Sequence, residues 1–157
     1  MKEVLVNDQL ILSYPDGFHI MTESERSKLN LLEDGQWIGL SDPDRHMIVT
    51  VGWKHAGFLT ANFSTSNDLA KGMEKKIRKS MESFGYRNEG FTDRVVAGEK
   101  ASGFRYGYKA QSVDMVAESL VLKCDGTVVY FHSYMREALK EASMVIWNEL
   151  LELVRKK

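Results

Sequence analysis

The sequence has little of the residues that mark specialised protein classes. Only one of its 157 residues is a cysteine, Cys124, so neither an intramolecular disulfide nor a cysteine-based zinc site can form. Two prolines and 12 glycines give no basis for a fibrous or disordered chain. Its apolar runs span only a few residues, far short of a membrane-spanning helix. With 43% hydrophobic residues, the chain is expected to be an ordinary globular protein.

Positive and negative charges are nearly balanced. The chain carries 21 basic and 22 acidic residues, a formal net charge of −1. A dedicated nucleic-acid binder has a strong basic excess, so we expect neither a nucleic-acid partner nor a membrane partner. The N-terminal residues include an acid at Glu3 and no long apolar run, which predicts the absence of a secretory signal. We therefore expect a soluble cytoplasmic protein whose residues 1–157 form a single domain.

The last quarter of the chain has the clearest structural pattern. Residues 115–124 and 127–135 are predicted to be strands, and Asp125 and Gly126 between them are typical of a type I′ hairpin turn. Both faces of the second strand are largely apolar, which predicts helices against both faces of the sheet. An amphipathic helix is expected over residues 137–155, and its apolar stripe consists of Leu139, Ala142, Ile146, Trp147, Leu150, Leu153 and Val154. Burial of its apolar stripe should contribute on the order of 10 kcal/mol before entropy costs.

Shorter patterns predict the remaining elements. Residues 4–6 and 10–13 are predicted to form an opening hairpin. Thr22 and Glu25 have the spacing of a capping box, which begins a short helix to about residue 30. The leucines that we expect to pack its end into the core are Leu29, Leu31 and Leu32. A strand pair follows at 37–40 and 47–53, then a helix from N-caps at 66–68 to residue 84, then strands at 89–97 and 101–110. Residues 56–62 receive no assignment.

This order of elements resembles the PsbP-like superfamily. That group includes the extrinsic oxygen-evolving subunit of photosystem II, a eukaryotic Ran-binding nuclear import factor and many uncharacterised bacterial proteins. The resemblance rests on residues 12–18 (LSYPDGF), 98–106 (GEKASGFRY) and 125–131 (DGTVVYF). It implies an α+β fold, with an antiparallel sheet flanked by helices in an α/β/α sandwich, an N-terminal hairpin and a C-terminal helix. It also implies binding rather than catalytic roles, and the bacterial branch is the most similar.

Patterns for catalysis or metal binding are missing from the sequence. The four histidines have no HxxxH or HxH spacing; they are His19, His46, His55 and His132. Residues 98–103 have the glycine spacing of a phosphate-binding loop, but the required lysine is absent and a strand follows instead of a helix. A carboxylate beside Cys124 should raise the thiol pKa, which argues against a nucleophile. We therefore predict no metal, no cofactor and no catalytic residue.

The second predicted helix is rich in cations. Its basic residues are Lys71, Lys75, Lys76, Arg78 and Lys79. Three acids reduce the formal charge of this helix to +2. A helix with one buried stripe must expose a soluble face, so we interpret the cations as that face. A contact with a nucleic acid or another anionic surface is the alternative.

The candidate site is a set of aromatic and histidine side chains on the predicted strands. The residues selected are Trp53, His55, Tyr106, Tyr108, Tyr130, His132 and Tyr134. If the faces of the two later strands coincide, their tyrosines and the imidazole would line one wall, suited to a small amphipathic ligand or a protein partner. Trp53 and His55 would extend it. The alternative is an ordinary core whose tyrosines reach water at its rim.

Taken together, these patterns predict a non-catalytic binding or accessory module. It would act through a protein partner or as a homodimer. The alternative function is that of a small-molecule binder or small enzyme that uses the tyrosine and histidine wall.

Overall fold

Ten strands and four α-helices build the described part of this protein. The computed structural model describes residues 1–29 and 35–157. Within these ranges the strands are β1 (Lys2–Val6), β2 (Leu10–Tyr14), β3 (His19–Ile20), β4 (Gln36–Asp42), β5 (Met47–His55), β6 (Arg87–Val96), β7 (Glu99–Ala110), β8 (Val113–Cys124), β9 (Thr127–Arg136) and β10 (Arg155–Lys156). The α-helices are α1 (Glu23–Ser27), α2 (Phe58–Phe63), α3 (Ser66–Ser80) and α4 (Lys140–Leu153).

The strands form two antiparallel sheets. The larger sheet has the order β3-β4-β5-β9-β8-β7-β6, and the smaller one has the order β1-β2-β10. The predicted closing hairpin is confirmed, with β8 and β9 paired from Cys124 opposite Thr127 to Met115 opposite Arg136. At its turn both central residues have positive φ, +46° at Asp125 and +79° at Gly126, as a type I′ turn requires.

The N-terminal predictions are also confirmed where the structure describes them. β1 and β2 form the opening hairpin. α1 begins with the predicted capping box, in which the Glu25 N–H donates to Thr22 Oγ1 at 3.2 Å and the Thr22 N–H donates to Glu25 Oε1 at 3.0 Å. α1 ends at Ser27. The predicted packing of Leu31 and Leu32 lies outside the described residues.

The prediction for α3 is confirmed except at its ends. The N-cap is Thr65 rather than a residue at 66–68, because Thr65 and Asp68 form a second capping box through two 3.1 Å hydrogen bonds. α3 ends at Ser80, and the chain tightens into a 3₁₀ turn over Glu82–Phe84. Gly85 follows in the left-handed conformation with φ of +72°, as expected of a residue that ends a helix.

Helices cover the larger sheet on both sides, as the apolar pattern of β9 predicts. On one side lie α4 and the smaller sheet, and on the other side lies α3. Large side chains fill the first layer, among them Leu12, Met47, Leu120, Phe131, Trp147 and Leu150. The layer under α3 includes Ile77, Phe104, Tyr106, Ala117 and Val121. The fold is therefore an α+β sandwich with its sheet in the middle.

The terminal helix is shorter than predicted. α4 stops at Leu153, because Val154 takes an extended conformation and Arg155 pairs opposite Ile11 of β2. The placement of Arg155 in a helical last turn is therefore wrong. The buried arc is also rotated relative to the predicted stripe, since Leu139 and Leu153 are each more than a third exposed. The fully buried residues of α4 are Ser143, Trp147, Leu150 and Leu151.

A buried carboxylate joins α4 to the sheet. Glu118 of β8 accepts two 2.8 Å hydrogen bonds from Arg94, one of 3.0 Å from the hydroxyl of Thr92 and one of 3.0 Å from the Trp147 indole. Arg105 approaches it at 3.4 Å. Burial raises the pKa of Glu118, but the hydrogen bonds and charge of Arg94, together with the other donors, outweigh burial and hold this pKa below its usual value. Glu118 is therefore ionised at neutral pH.

Replacing Glu118 by glutamine should lower the free energy of unfolding by about 3 kcal/mol, near the lower end of the cost of breaking a buried ion pair. The substitution leaves Arg94 without its counter-charge, although that side chain still reaches water. Urea denaturation measures the loss. Glu149→Gln, on the exposed side of α4, is the matched control and should leave the unfolding midpoint unchanged. Equal midpoints for both variants would contradict this account of Glu118.

Candidate functional site

The register of the sheet brings five of the seven candidate residues to one face. Tyr106 lies opposite Ala117, which lies opposite Tyr134, so that the three form a row across β7, β8 and β9. Because side chains alternate along a strand, Tyr108 shares the face of Tyr106. Tyr130 and His132 share that of Tyr134 for the same reason. We call this set of five residues the aromatic wall.

Trp53 and His55 do not extend the aromatic wall. Trp53 pairs opposite Val129, which points to the α4 side of the sheet, whereas Tyr130 points to the α3 side. Trp53 accordingly packs against the core beneath α4, and His55 is exposed on the same side at the end of β5. The expectation that these two residues lengthen the wall is wrong, because they alternate out of phase with it.

Most of the aromatic wall is buried beneath α3. Tyr106 and Tyr108 are 2% and 8% exposed, and His132 is 7% exposed. The aromatic rings stack along β7, with centroids 5.7 Å apart for Phe104 and Tyr106 and 5.8 Å apart for Tyr106 and Tyr108. Burial raises the pKa of Tyr108 to about 12, so its hydroxyl stays protonated at neutral pH. The half-buried rim of the wall consists of Tyr130 and Tyr134.

A hydrogen-bonded pair lies inside the wall. Ser119 Oγ and His132 Nδ1 are 2.7 Å apart, both in the buried interior. The imidazole also stacks on Tyr134, with ring centroids 6.2 Å apart. A serine and histidine at this distance resemble half of a catalytic triad, but Ser119 is 0% exposed and a substrate does not reach it. The pair satisfies polar groups within the core.

Burial alone lowers the pKa of His132 to about 4, so the imidazole is neutral at pH 7. An unfolded histidine has a pKa of about 6.5, and the unfolded state therefore takes up the proton first as the pH falls. The contribution of the buried neutral imidazole is complete above the unfolded pKa. It is then lost progressively as the pH falls toward the folded value.

The free energy of unfolding should therefore fall by about 2 kcal/mol between about pH 7.5 and about pH 5 because of His132 alone. Chemical denaturation at the two pH values measures the change. His132→Gln, which keeps an amide beside Ser119 but cannot titrate, should lose this dependence. His55→Gln, an exposed control, should keep it. A pH dependence that persists in His132→Gln would assign it to other groups.

A shallow groove adjoins the rim of the wall. It has a volume of about 500 Å³ and lies where the turns after β4 and β7 approach the end of β9. Tyr134 and Arg136 supply polar groups, while Ile48 and Met115 supply apolar surface. Tyr134 is the residue of the aromatic wall that lines this groove.

The structure shows an apolar surface that the sequence analysis missed. In α2, Phe58, Leu59 and Phe63 are 75%, 71% and 72% exposed. Lys123 holds the end of this helix by donating to the carbonyl oxygens of Ala61 at 3.2 Å and Ser64 at 2.7 Å. The available signal was three large apolar residues on one side of a helical turn, bounded by Gly57 and Ser64. We call Phe58, Leu59 and Phe63 the α2 surface.

The cations of α3 and Cys124 do not form a further binding or catalytic site. The five cations of α3 are all exposed, as a solvated helix face would be. Burial, followed by the charge of Asp125, raises the pKa of the Cys124 thiol, in the direction expected from the sequence. Within residues 1–29 and 35–157, His, Cys, Asp and Glu do not cluster as a metal site. None of the helices in the described part of the chain is long and apolar enough to cross a membrane.

Comparison with solved structures identifies the fold. No protein-family model and no curated protein matches the chain. The cyanobacterial PsbP protein CyanoP of Synechocystis superposes with a TM-score of 0.71 at 11% identity, covering 99% of this chain and 92% of its own. The Ran-binding protein Mog1p of Saccharomyces cerevisiae gives 0.61 at 10% identity, with coverages of 98% and 94%. LpqN, involved in cell envelope biogenesis of Mycobacterium tuberculosis, gives 0.63 at 14% identity, with coverages of 94% and 83%. The chain thus has the PsbP-like fold expected from its sequence.

Proposed function

We propose that this protein is a non-catalytic binding module that acts through a protein partner. The observation that carries the proposal is the α2 surface. Three large apolar side chains, each more than two-thirds exposed, lie within six residues of a helix. A cluster of this kind marks an interaction site in a stable protein, since isolated exposed apolar residues are common but contiguous ones are not. The bacterial source and cytoplasmic location inferred from the sequence stay predictions.

The uncharged, aromatic composition of α2 suits the binding of a protein rather than of a charged ligand. The helix has no acidic or basic residue in its first or last turn. The rings of Phe58 and Phe63 meet edge to face, with centroids 6.2 Å apart, and so form a small ordered aromatic contact. Aromatic anchors on a firm backbone are typical of protein interfaces. Mog1p, which has the same fold, is a Ran-binding protein, and this shows that the architecture can serve as a binding module.

Substituting the α2 surface should remove partner binding without loss of stability. In a variant with Phe58→Ser and Phe63→Ser, the free energy of unfolding should change by less than about 0.5 kcal/mol, because exposed positions contribute little. Proteins retained by the immobilised wild type from a native lysate should be lost with the variant. Quantitative mass spectrometry of the two captures measures the difference.

Val145→Ser provides the matched control, because Val145 is 65% exposed on α4. Its captured proteins should equal those of the wild type. Identical captures from all three proteins would refute the role of α2. If the wild type sediments as a dimer and the α2 variant as a monomer, the partner that binds the α2 surface is a second copy of the chain.

The groove beside Tyr134 favours a second candidate function, that of a small-molecule binder. Its volume of about 500 Å³ falls within the range of ligand pockets, and an arginine with a tyrosine suits an aromatic carboxylate. Titration with benzoate should shift the amide resonances around Tyr134 and Arg136 if this candidate is correct. Arg136→Met should abolish the shifts and Arg87→Met should not. Shifts of equal size in both variants would exclude a specific site there.

A further inference from the structure

The outer side of β6 is the longest unpaired strand edge in the described part of the structure. β6 ends the seven-stranded sheet, and no described strand pairs with its outer side. It has ten residues, whereas β3 at the opposite edge has two. Alternate residues of an edge strand direct both the N–H and the C=O group to solvent, and so provide a template for another strand.

Of the features that usually protect an edge, the bulge lies at one end of β6, and the two charged residues of the regular stretch, Asp93 and Arg94, are both hydrogen-bonded within the sheet. The strand contains neither lysine nor proline. A bulge interrupts its pairing with β7 between Asn88 and Gly90, where the Gly90 N–H donates to Asn88 Oδ1 at 2.7 Å. Beyond the bulge the pairing is regular, from Phe91 opposite Phe104 to Val96 opposite Glu99. Because no bulge interrupts this stretch, its outer N–H and C=O groups keep the regular spacing that another strand needs.

One face of this stretch is apolar and exposed. Phe91 and Val95 point to the α3 side of the sheet and are 54% and 73% exposed. The Phe91 ring is fixed against Phe104, with centroids 6.2 Å apart. Asp93 lies between them and accepts a 3.1 Å hydrogen bond from the Ser102 hydroxyl. An added strand would therefore meet two apolar side chains four residues apart.

The opposite face carries fixed arginines. Arg94 lies on the α4 side, and its two 2.8 Å bonds to Glu118 hold its guanidinium in place. Arg105 is nearby at 3.4 Å from the same carboxylate, and Arg87 lies 3.7 Å from Glu89. Three guanidinium groups face two carboxylates, which leaves an excess of one positive charge. A carboxylate on an added strand would complement it.

We propose that β6 binds an extended segment of a partner protein by strand addition. The segment has apolar residues at positions i and i+4, beside Phe91 and Val95. It has acidic residues at the alternating positions, beside Arg94 and Arg105. Backbone hydrogen bonds supply affinity in this mode of recognition, and the alternating side chains supply specificity. The proposal concerns a surface distinct from α2 and does not depend on it.

A second copy of β6 does not match this edge. Antiparallel self-pairing that sets Phe91 opposite Val95 also sets the Asp93 of each copy directly opposite the other. Like charges opposed across two strands are destabilising. The occupant that fits is therefore a strand of different sequence, with a hydroxyl or basic residue opposite Asp93.

The test uses a fluorescein-labelled peptide of about eight residues in which glutamate alternates with valine or threonine, with valine at positions i and i+4 and threonine at i+2, opposite Asp93. The wild type should bind it, with amide shifts confined to β6 and the adjoining strand. Val95→Lys should weaken binding by about tenfold or more, because an edge lysine opposes strand addition. Val145→Lys places the same charge at a similarly exposed position on α4 and should bind as the wild type does. The same peptide with lysine in place of each glutamate should not bind.

The outcomes separate this proposal from its rivals. A dissociation constant weaker than about 1 mM for the wild type would overturn it. Equal affinities of the two lysine variants, or amide shifts centred on α2, would do the same. A wild-type dimer that dissociates in Val95→Lys would assign the edge to a second copy instead. The variant with Phe58→Ser and Phe63→Ser should keep full peptide affinity, so failure of the α2 proposal leaves this one standing.

Discussion

Burial of β8 and β9 on both faces is the constraint on which the rest of the structure depends. Phe131 and Leu120 are fully buried on the α4 side, while Ser119 and Val121 are fully buried on the α3 side. An antiparallel sheet of this kind is stable only if something covers each face. α4 and the smaller sheet cover one, and α3 covers the other. The surfaces that we propose for recognition consequently lie at the periphery, on a short helix, at an edge strand and at the end of the sheet.

The elements that the sequence predicts are those that depend on interactions between residues close together in the chain. The Asp125-Gly126 turn, the capping box at Thr22 and the alternation along β9 are local signals, and the elements that depend on them were predicted. β10 has two residues and exists because β2 lies beside it. No local pattern indicates such a strand. α2 is too short for a helical period to stand out from its neighbours.

The candidate site shows the same division. Alternation along each strand correctly grouped the residues of the aromatic wall. Whether these residues meet across β8 depends on strand register, and whether they are buried depends on where α3 packs. A single sequence specifies neither the register nor the packing. Trp53 shares a face with Val51 by alternation, but only the register between β5 and β9 shows that this face is opposite that of Tyr130. That error came from extending the wall along a strand whose phase did not match.

Two buried polar side chains of the sheet, one on each face, are stabilised in different ways. On the α4 side, Glu118 keeps its charge because Arg94 of β6 and Arg105 of β7 reach it. On the α3 side, His132 has Ser119 as a hydrogen-bond partner and remains neutral. An ion is tolerated where long cationic side chains can extend inward from solvent, and a neutral pair is used where tyrosine rings surround the site. The charged face thus lies beside β6, the edge strand that carries Arg87 and Arg94.

The pairing of β10 with β2 has a consequence for how the protein is made. Arg155 bonds to Glu3, 152 residues earlier in the chain, and the Lys157 N–H donates to the carbonyl of Gln9 at 2.9 Å. The ribosome must pass residue 155 before the smaller sheet has its third strand. Contacts this distant in sequence close late and slowly, whereas the β8–β9 hairpin closes over a two-residue turn. The β1–β2 hairpin therefore leaves the ribosome well before β10 does, and the smaller sheet can be completed only after α4 has been synthesised.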